Sequence, residues 1–477
     1  MTRRTKIVAT LGPATDAGDV LGDVLRAGVD VVRLNLSHGE VDEHLERLRR
    51  VRSAAAGLGK PVGVLADLPG PKIRAGEFAA PGAVLAIGSA VSFEMGDGPS
   101  DADTVRVDYA GFLDDVAVGD RVLIGDGAIS ARVERVDPAS VLAIVETGGR
   151  AQGRPGVHLS SERSRLATPT ADDLVLAETM AAAGVEFVGV SFVRAAADVE
   201  AVRAVVGDRA RLLAKIETST ALANLAGILT VSDAIMVARG DLGIDCPLED
   251  VPHLQKAIVR QCVEFGIPVI TATQMLESMV TAPSPTRAEV SDVANAVFDG
   301  TDALMLSAET AIGGRPAEVV ATMARIAERA ESQASYRQWA ERLGRVQRDH
   351  WYSPGDRITA ALTHAASQAA RDVGATAILC CTRSGRTATA MARFRPEAQL
   401  IGLSPAPSTV SAMTLSWGID PIRVDVYTST DEVVWFAVET AVKQGRIAAG
   451  DTVVVLAGAP DRHTTAAADV MRIVQVA

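Results

Sequence analysis

The 477-residue chain holds only four cysteines, two of them adjacent (Cys380, Cys381), and none sits in a CxxC pair. That excludes a disulfide framework and leads us to expect a reducing, cytoplasmic setting. No uninterrupted apolar run reaches the roughly 18 residues that a membrane-spanning helix needs. The opening segment MTRRTKIVATLG is basic but lacks the long apolar region and small-residue cleavage site of a secretory signal. Positive charge is scarce, since 47 Lys and Arg against 59 Asp and Glu leave a net charge of −12. Nucleic acid and anionic membrane surfaces, which need an extended basic face, are therefore not expected partners. Anionic small molecules stay open wherever basic residues converge locally. No GxxxxGK[ST] segment occurs, so a Walker-type nucleotide loop is absent. Repeats of short period and low-complexity tracts are missing too.

What the chain does have is alternation. Eight short apolar, β-branched runs recur: KIVAT from Lys6, VVRLNL from Val31, VGVLADL from Val62, FVGVSFV from Phe187, RLLAKIE from Arg211, DAIMVAR from Asp233, PVITAT from Pro268 and ALMLSAE from Ala303. Amphipathic helical patterns such as HLERLRRVRSAAAG and LQKAIVRQCVEFG lie between them, with Asp, Ser or Thr at many starts and Gly at many ends. Strands apolar on both faces, each followed by a helix, predict a closed parallel (β/α)8 barrel. The alternation breaks once, from 70 to 165, where VSFEM, TVRVDY and VLAIVET are separated by Gly, Pro and Asp turns. This predicts a small β-barrel lid inserted after the third barrel strand. Beyond a polar linker near 335, the text predicts a C-terminal α/β unit whose last strand is DTVVVLAG. The expected division is 1–69 with 166–335 for the barrel, 70–165 for the lid and 336–477 for the C-terminal unit.

Chemistry in such barrels sits at the C-terminal strand ends. There the sequence places Arg33, Asn35, Ser37 and His38, then Asp67, Lys72 and Arg74. Lys215 and Glu217 follow, then Arg239, Gly240 and Asp241, then Thr271, Thr273 and Gln274, and finally Ser307 and Glu309. Alone, each has a bland explanation as an ion-pair partner, a turn residue or a backbone cap. Arg-Gly-Asp in VARGDLG also matches an adhesion tripeptide, a reading that a cytosolic setting disfavours. Convergence of ionisable groups on one end is what points to a site. Glu217 and Asp241, on adjacent strands, can offer oxygen ligands to Mg²⁺ or Mn²⁺. Arg33, Arg74 and Lys215 suit phosphoryl oxygens and a carboxylate. Hydroxyls and cations around a divalent metal suggest phosphoryl transfer without a covalent enzyme intermediate.

KIVATLGPAT, RLNLSHG, GPKIR, KIET, IMVARGDLG, TATQMLESM, PTRAEVSDVANAVFDGTDALMLSAETAIGGRP and TRSGRTA occur in this order, densest from Lys215 to Pro316. Together they resemble the pyruvate kinase family over nearly the whole chain. The resemblance implies phosphoryl transfer from phosphoenolpyruvate to ADP, giving pyruvate and ATP. It implies that Lys215 stabilises the phosphoryl group in flight and that Arg33 contacts it. Glu217 and Asp241 would bind Mg²⁺ or Mn²⁺, and the amides near Gly240 and Asp241 would receive the substrate carboxylate. Thr273 would lie beside the enolate carbon, with Ser307 in the proton path, and Asn35, His38 and Arg74 would serve the nucleotide. A homotetramer is implied as well.

Two departures from the family pattern stand out. Among the residues of the monovalent-cation site, Asn35, Ser37 and Asp67 match, but Leu68 stands where K⁺-requiring members carry Thr, and Lys72 where they carry Glu. The expectation is that the Lys72 ammonium replaces K⁺. The lid ends in GRPGVHLSSERSRLATPTADD, with Arg154-Pro155 where a basic pair is common. In the C-terminal unit, Thr382, Ser384, Gly385, Arg386 and Thr387 form a strand-to-helix loop able to hold the phosphate of an effector. Two alternatives remain at this stage: a metal-dependent lyase handling a pyruvate enolate, and a non-catalytic metabolite-sensing paralogue.

Overall fold

The computed structural model describes residues 3–125, 127–159, 165–334, 343, 354–426, 430–458 and 468–477. Most of the polar linker after 334, and part of the lid's last stretch (160–164), lie outside them.

Every one of the eight apolar runs becomes a strand. They are β1 (Lys6–Thr10), β2 (Val31–Asn35), β3 (Gly63–Asp67), β4 (Phe187–Val190), β5 (Arg211–Ile216), β6 (Ala234–Ala238), β7 (Val269–Ala272) and β8 (Ala303–Leu306). They close in the order β1-β8-β7-β6-β5-β4-β3-β2. β1, β3, β4, β6, β7 and β8 are buried along their whole length, because helices cover the outside and side chains fill the inside. Local chemistry sets the helix ends. Thr286 and Glu289 cap helix Arg287–Asp299 reciprocally, and left-handed Gly300 ends it.

Most runs lose one to three residues at their ends, and in two of them a left-handed backbone ends the strand. FVGVSFV leaves the sheet at Val190, because Phe192 is left-handed (φ 54°). PVITAT leaves it at Ala272, where Thr273 and Gln274 are left-handed (φ 67° and 55°). Such backbone is costly for residues with side chains, and Thr is β-branched, so the surrounding barrel must impose it.

Between β3 and β4, nine short strands build the lid around its own core, which includes Phe78, Phe93 and Phe112. Its seven-stranded sheet runs from Ile73–Arg74 to Thr104–Val107. These end strands meet through an Ala75–Val107 bridge and the Asp108 N–H to Arg74 C=O bond of 3.0 Å, closing a small barrel.

The C-terminal sheet holds β9 (Ala377–Cys381), β10 (Gln399–Ser404), β11 (Ile419–Arg423), β12 (Thr452–Ala457) and β13 (Val470–Gln475), ordered β11-β10-β9-β12-β13. DTVVVLAG is therefore not the last strand, since β13 follows and pairs antiparallel to β12. Reading missed both edges: β11 carries Pro421, and β13 exposes Met471, Arg472 and Ile473 in succession, so neither shows alternation. Helix Pro407–Met413 lacks a clear sequence signal, and Ala412 in it and Leu415 after it complete the apolar cluster inside the barrel floor.

Candidate active site

The C-terminal strand ends meet in one buried charge network. Asp67, at the end of β3, receives Arg33 Nε at 2.7 Å on Oδ2 and pairs with Lys215 Nζ at 3.3 Å through Oδ1. Arg33 also donates to Thr10 Oγ1 at 3.2 Å. Lys215 Nζ lies 2.9 Å from Glu217 Oε1 and donates to Ser191 Oγ at 2.7 Å. Lys215 and Glu217 point the same way because they are two residues apart at the end of one strand. Burial works against the Lys215 ammonium, but Asp67 and Glu217 outweigh it and hold the pKa above the ordinary lysine value. Glu217 is pushed up, first by burial and then by the like charge of Asp241, while Lys215 opposes the shift.

Asp241 sits in the first turn of a short helix, Arg239–Asp245, that begins where β6 ends. Arg-Gly-Asp is thus a helix start. Arg239 is committed to the β7 end: it donates to Ala272 C=O at 3.2 Å and Thr273 C=O at 2.6 Å, and pairs with Asp292 at 2.8 Å. These bonds brace the left-handed Thr273–Gln274 turn. Gly240 N–H donates to Thr273 Oγ1 at 2.9 Å, and that hydroxyl donates to Ala272 C=O at 2.7 Å. The Gly240 amide is therefore already engaged. The Asp241 amide, in the first helical turn, has no intrahelical acceptor. A Cβ at Gly240 would meet only Thr273, at 3.6 Å or more, so the protein itself leaves room there.

Ser307 N–H donates to the buried Glu309 carboxylate at 2.6 Å, and Leu276 N–H donates to its other oxygen at 3.2 Å, tying the ends of β8 and β7 together. On the side toward the lid, Lys72 Nζ donates to Ser37 Oγ at 2.9 Å. His38 is held below its ordinary pKa by partial burial and then by the positive charges of Lys72, Arg74 and Arg33. Ser37 N–H bonds Asn35 Oδ1 at 3.3 Å, shaping the same loop. Arg74 belongs to the lid, where its Nη1 donates to Arg154 C=O at 3.2 Å. Leu68 is buried, with its carbonyl accepting from Ser191 Oγ at 2.7 Å.

The Thr382–Thr387 loop is elsewhere. Gly385 N–H donates to Thr382 Oγ1 at 3.0 Å and opens the helix that contains Arg386 and Thr387. Arg211, the first residue of β5, donates to Ser384 C=O at 2.5 Å. The loop therefore lies at the barrel floor, at the opposite end of β5 from Lys215. Sequence reading passed over Ser191, Phe192 and Thr10, whose roles depend on contacts between distant strands. A serine directly after a strand end, beside the lysine strand, was the only signal.

Among the described residues no three His, Cys, Asp or Glu side chains form a metal cluster. The donor set nonetheless suits a hard divalent cation, which takes one or two carboxylates and fills its other positions with substrate and water oxygens. Glu217 and Asp241 feel each other's charge, and Asp241 accepts no hydrogen bond among the described residues.

Comparison with known proteins is uniform. The family model described as the pyruvate kinase barrel domain matches residues 2–320, and that of the pyruvate kinase alpha/beta domain matches 360–474. A pyruvate kinase of Methylorubrum extorquens is 41% identical over 96% of this chain and 94% of its own length. Those of Mycobacterium intracellulare and Clostridium acetobutylicum are 40% and 37% identical, each over 96% of both chains.

Proposed function

This chain belongs to the pyruvate kinase family, and from that premise we propose how its residues divide the work of moving a phosphoryl group from phosphoenolpyruvate to ADP. Whole-length identity to pyruvate kinases makes it a phosphotransferase and leaves no case for the lyase or the sensor. The observation that carries the assignment of roles is the buried chain Arg33–Asp67–Lys215–Glu217.

Lys215 stays protonated at neutral pH and presents fixed positive charge where the phosphoryl oxygens gain charge in the transition state. Asp67 holds Lys215 and Arg33 side by side, so both cations can grip one phosphoryl group. Asn35, His38 and Arg74 line the nucleotide side. Thr273 Oγ1 lies beside the carbon that must gain a proton, and Ser307 stands in the same proton path. The substrate carboxylate meets the first turn beside Gly240, at the Asp241 amide that Thr273 leaves free. The family uses a divalent metal, which Glu217 and Asp241 would hold as Mg²⁺ or Mn²⁺. When bound it supplies charge neutralisation and alignment of substrate oxygens.

Lys72, at Ser37, takes the place of K⁺. The lid spans 70–165, the barrel 1–69 and 166–335, and the C-terminal unit 336–477, whose Thr382–Thr387 loop receives a phosphorylated effector. The protein works in the cytoplasm as a homotetramer. The test is pyruvate formation from phosphoenolpyruvate with Mg²⁺, coupled to lactate dehydrogenase. Turnover dependent on ADP is expected; no turnover with ADP or GDP would sink the reading.

A further inference from the structure

The turn after β4 holds both functional side chains at the end of β5, Lys215 and the following Glu217. Ser191 Oγ accepts from Lys215 Nζ at 2.7 Å, and the neighbouring Phe192 N–H donates to Glu217 Oε2 at 2.5 Å. Phe192 keeps a left-handed backbone (φ 54°) to make that bond. Ser191 is 2% exposed and donates its own proton to Leu68 C=O at 2.7 Å. The hydroxyl's polarity is thereby fixed: its hydrogen goes to the backbone, leaving a lone pair for the ammonium. Lys215 has three N–H donors, and its neighbours are Asp67, Glu217 and Ser191. Among the described residues Ser191 is the nearest and the only neutral one, so it orients the ammonium without neutralising it further.

The same turn touches the root of the lid. Leu68 N–H donates to Gly189 C=O at 3.0 Å, and Gly70 N–H donates to Asp173 Oδ1 at 3.0 Å. Gly70 is left-handed (φ 67°), and a Cβ there would fall 2.8 Å from both Ser191 Cβ and the Phe192 ring. Chain leaving β3 for the lid therefore packs directly on the turn that orients Lys215.

We propose that Ser191 is a positioning residue for phosphoryl transfer, aiming the Lys215 ammonium and tying its direction to the start of the lid. The proposal rests on the assignment of Lys215 to phosphoryl transfer. Hydroxyl chemistry and simple space-filling at Ser191 make opposite predictions. Ser191→Thr keeps the hydroxyl and adds a methyl group; Ser191→Cys keeps the size and replaces the oxygen with a poor acceptor. If the hydroxyl aims Lys215, Ser191→Ala and Ser191→Cys lose about 10- to 100-fold in kcat, with the KM for phosphoenolpyruvate within about 3-fold of the parent. Ser191→Thr then stays closer to the parent than either. Ser191→Cys matching the parent, Ser191→Thr falling below Ser191→Cys, or a raised KM with unchanged kcat would each overturn the proposal. Thermal melting accompanies the kinetics. Should Ser191→Thr not fold, Ser191→Cys alone decides: lost kcat at unchanged melting supports the proposal, and retained kcat defeats it. Lys215→Met is measured beside them. If that variant turns over normally the assignment of Lys215 fails, whereas if it is inactive and the serine ranking inverts, only the positioning role fails.

Discussion

At the mouth of the barrel, Arg33, Asp67 and Glu217 are buried and Lys215 nearly so, setting two cations and two carboxylates against one another. At the floor, Lys6, Arg395, Asp30 and Asp302 are buried in equal number. Their partners differ. Floor charges end mainly on backbone: Arg395 on Gly300 C=O at 2.5 Å, Lys6 on Ile419 C=O at 2.7 Å, Asp302 on Trp417 N–H at 3.0 Å and Val269 N–H at 3.1 Å. Arg395 also pairs with Asp302 at 3.0 Å and lies over the Trp417 ring, joining the C-terminal unit to the barrel. Mouth charges are held chiefly by other side chains, and Asp241 beside them accepts no hydrogen bond among the described residues. Buried charge therefore does not by itself mark a site. A site is marked where charges are held against each other and keep bonding capacity for something that is not protein.

Four measurements would break or sharpen that contrast. Lys215→Met should reduce turnover by at least about 1,000-fold, because the cation acts only on charge that develops in the transition state; a loss under 10-fold would remove Lys215 from its role. At the floor, Arg395→Ala should cost stability instead, about 3–5 kcal/mol, by leaving Asp302 buried and unpaired. Denaturant unfolding reads that loss, and turnover per folded molecule should hold. Lys72→Glu should lower the rate roughly 10-fold in K⁺-free buffer and regain it on adding K⁺, while the parent is indifferent to K⁺. A parent whose rate collapses without K⁺ would refute the substitution of ammonium for K⁺.

The smallest effect is a pH dependence at the floor. Burial tends to raise the Asp30 pKa, but Arg3, Lys6 and Lys60 outweigh it and hold it below the ordinary 3.8. Because the folded-state value is depressed, the stability from Asp30 is complete above 3.8 and is lost as pH falls through the lower value. Unfolding midpoints measured on both sides of that range should show the loss in the parent and not in Asp30→Asn.

How far each part was legible follows from how local its cause is. Barrel strands could be read because burial on both faces leaves a continuous apolar signature, as in KIVAT and AIMVA. Edge strands β11 and β13 could not, since an edge need not bury both faces. Lys215, Glu217 and Asp241 stood out as charges interrupting apolar strand ends. Ser191 did not, because a serine beside a strand acquires meaning only from the lysine and the carbonyl that face it.

Sequence by itself determined the eight-fold alternation, the inserted lid and the charged strand ends, because apolar periodicity and charge are written residue by residue. Tertiary structure alone decided which of those charges meet. Asp67 reaches across β4 to Lys215, Arg239 braces the Thr273 turn, and Arg211 ties β5 to the loop at Ser384. These contacts exist only once the barrel has closed, since closure brings residues from separate strands within bonding distance.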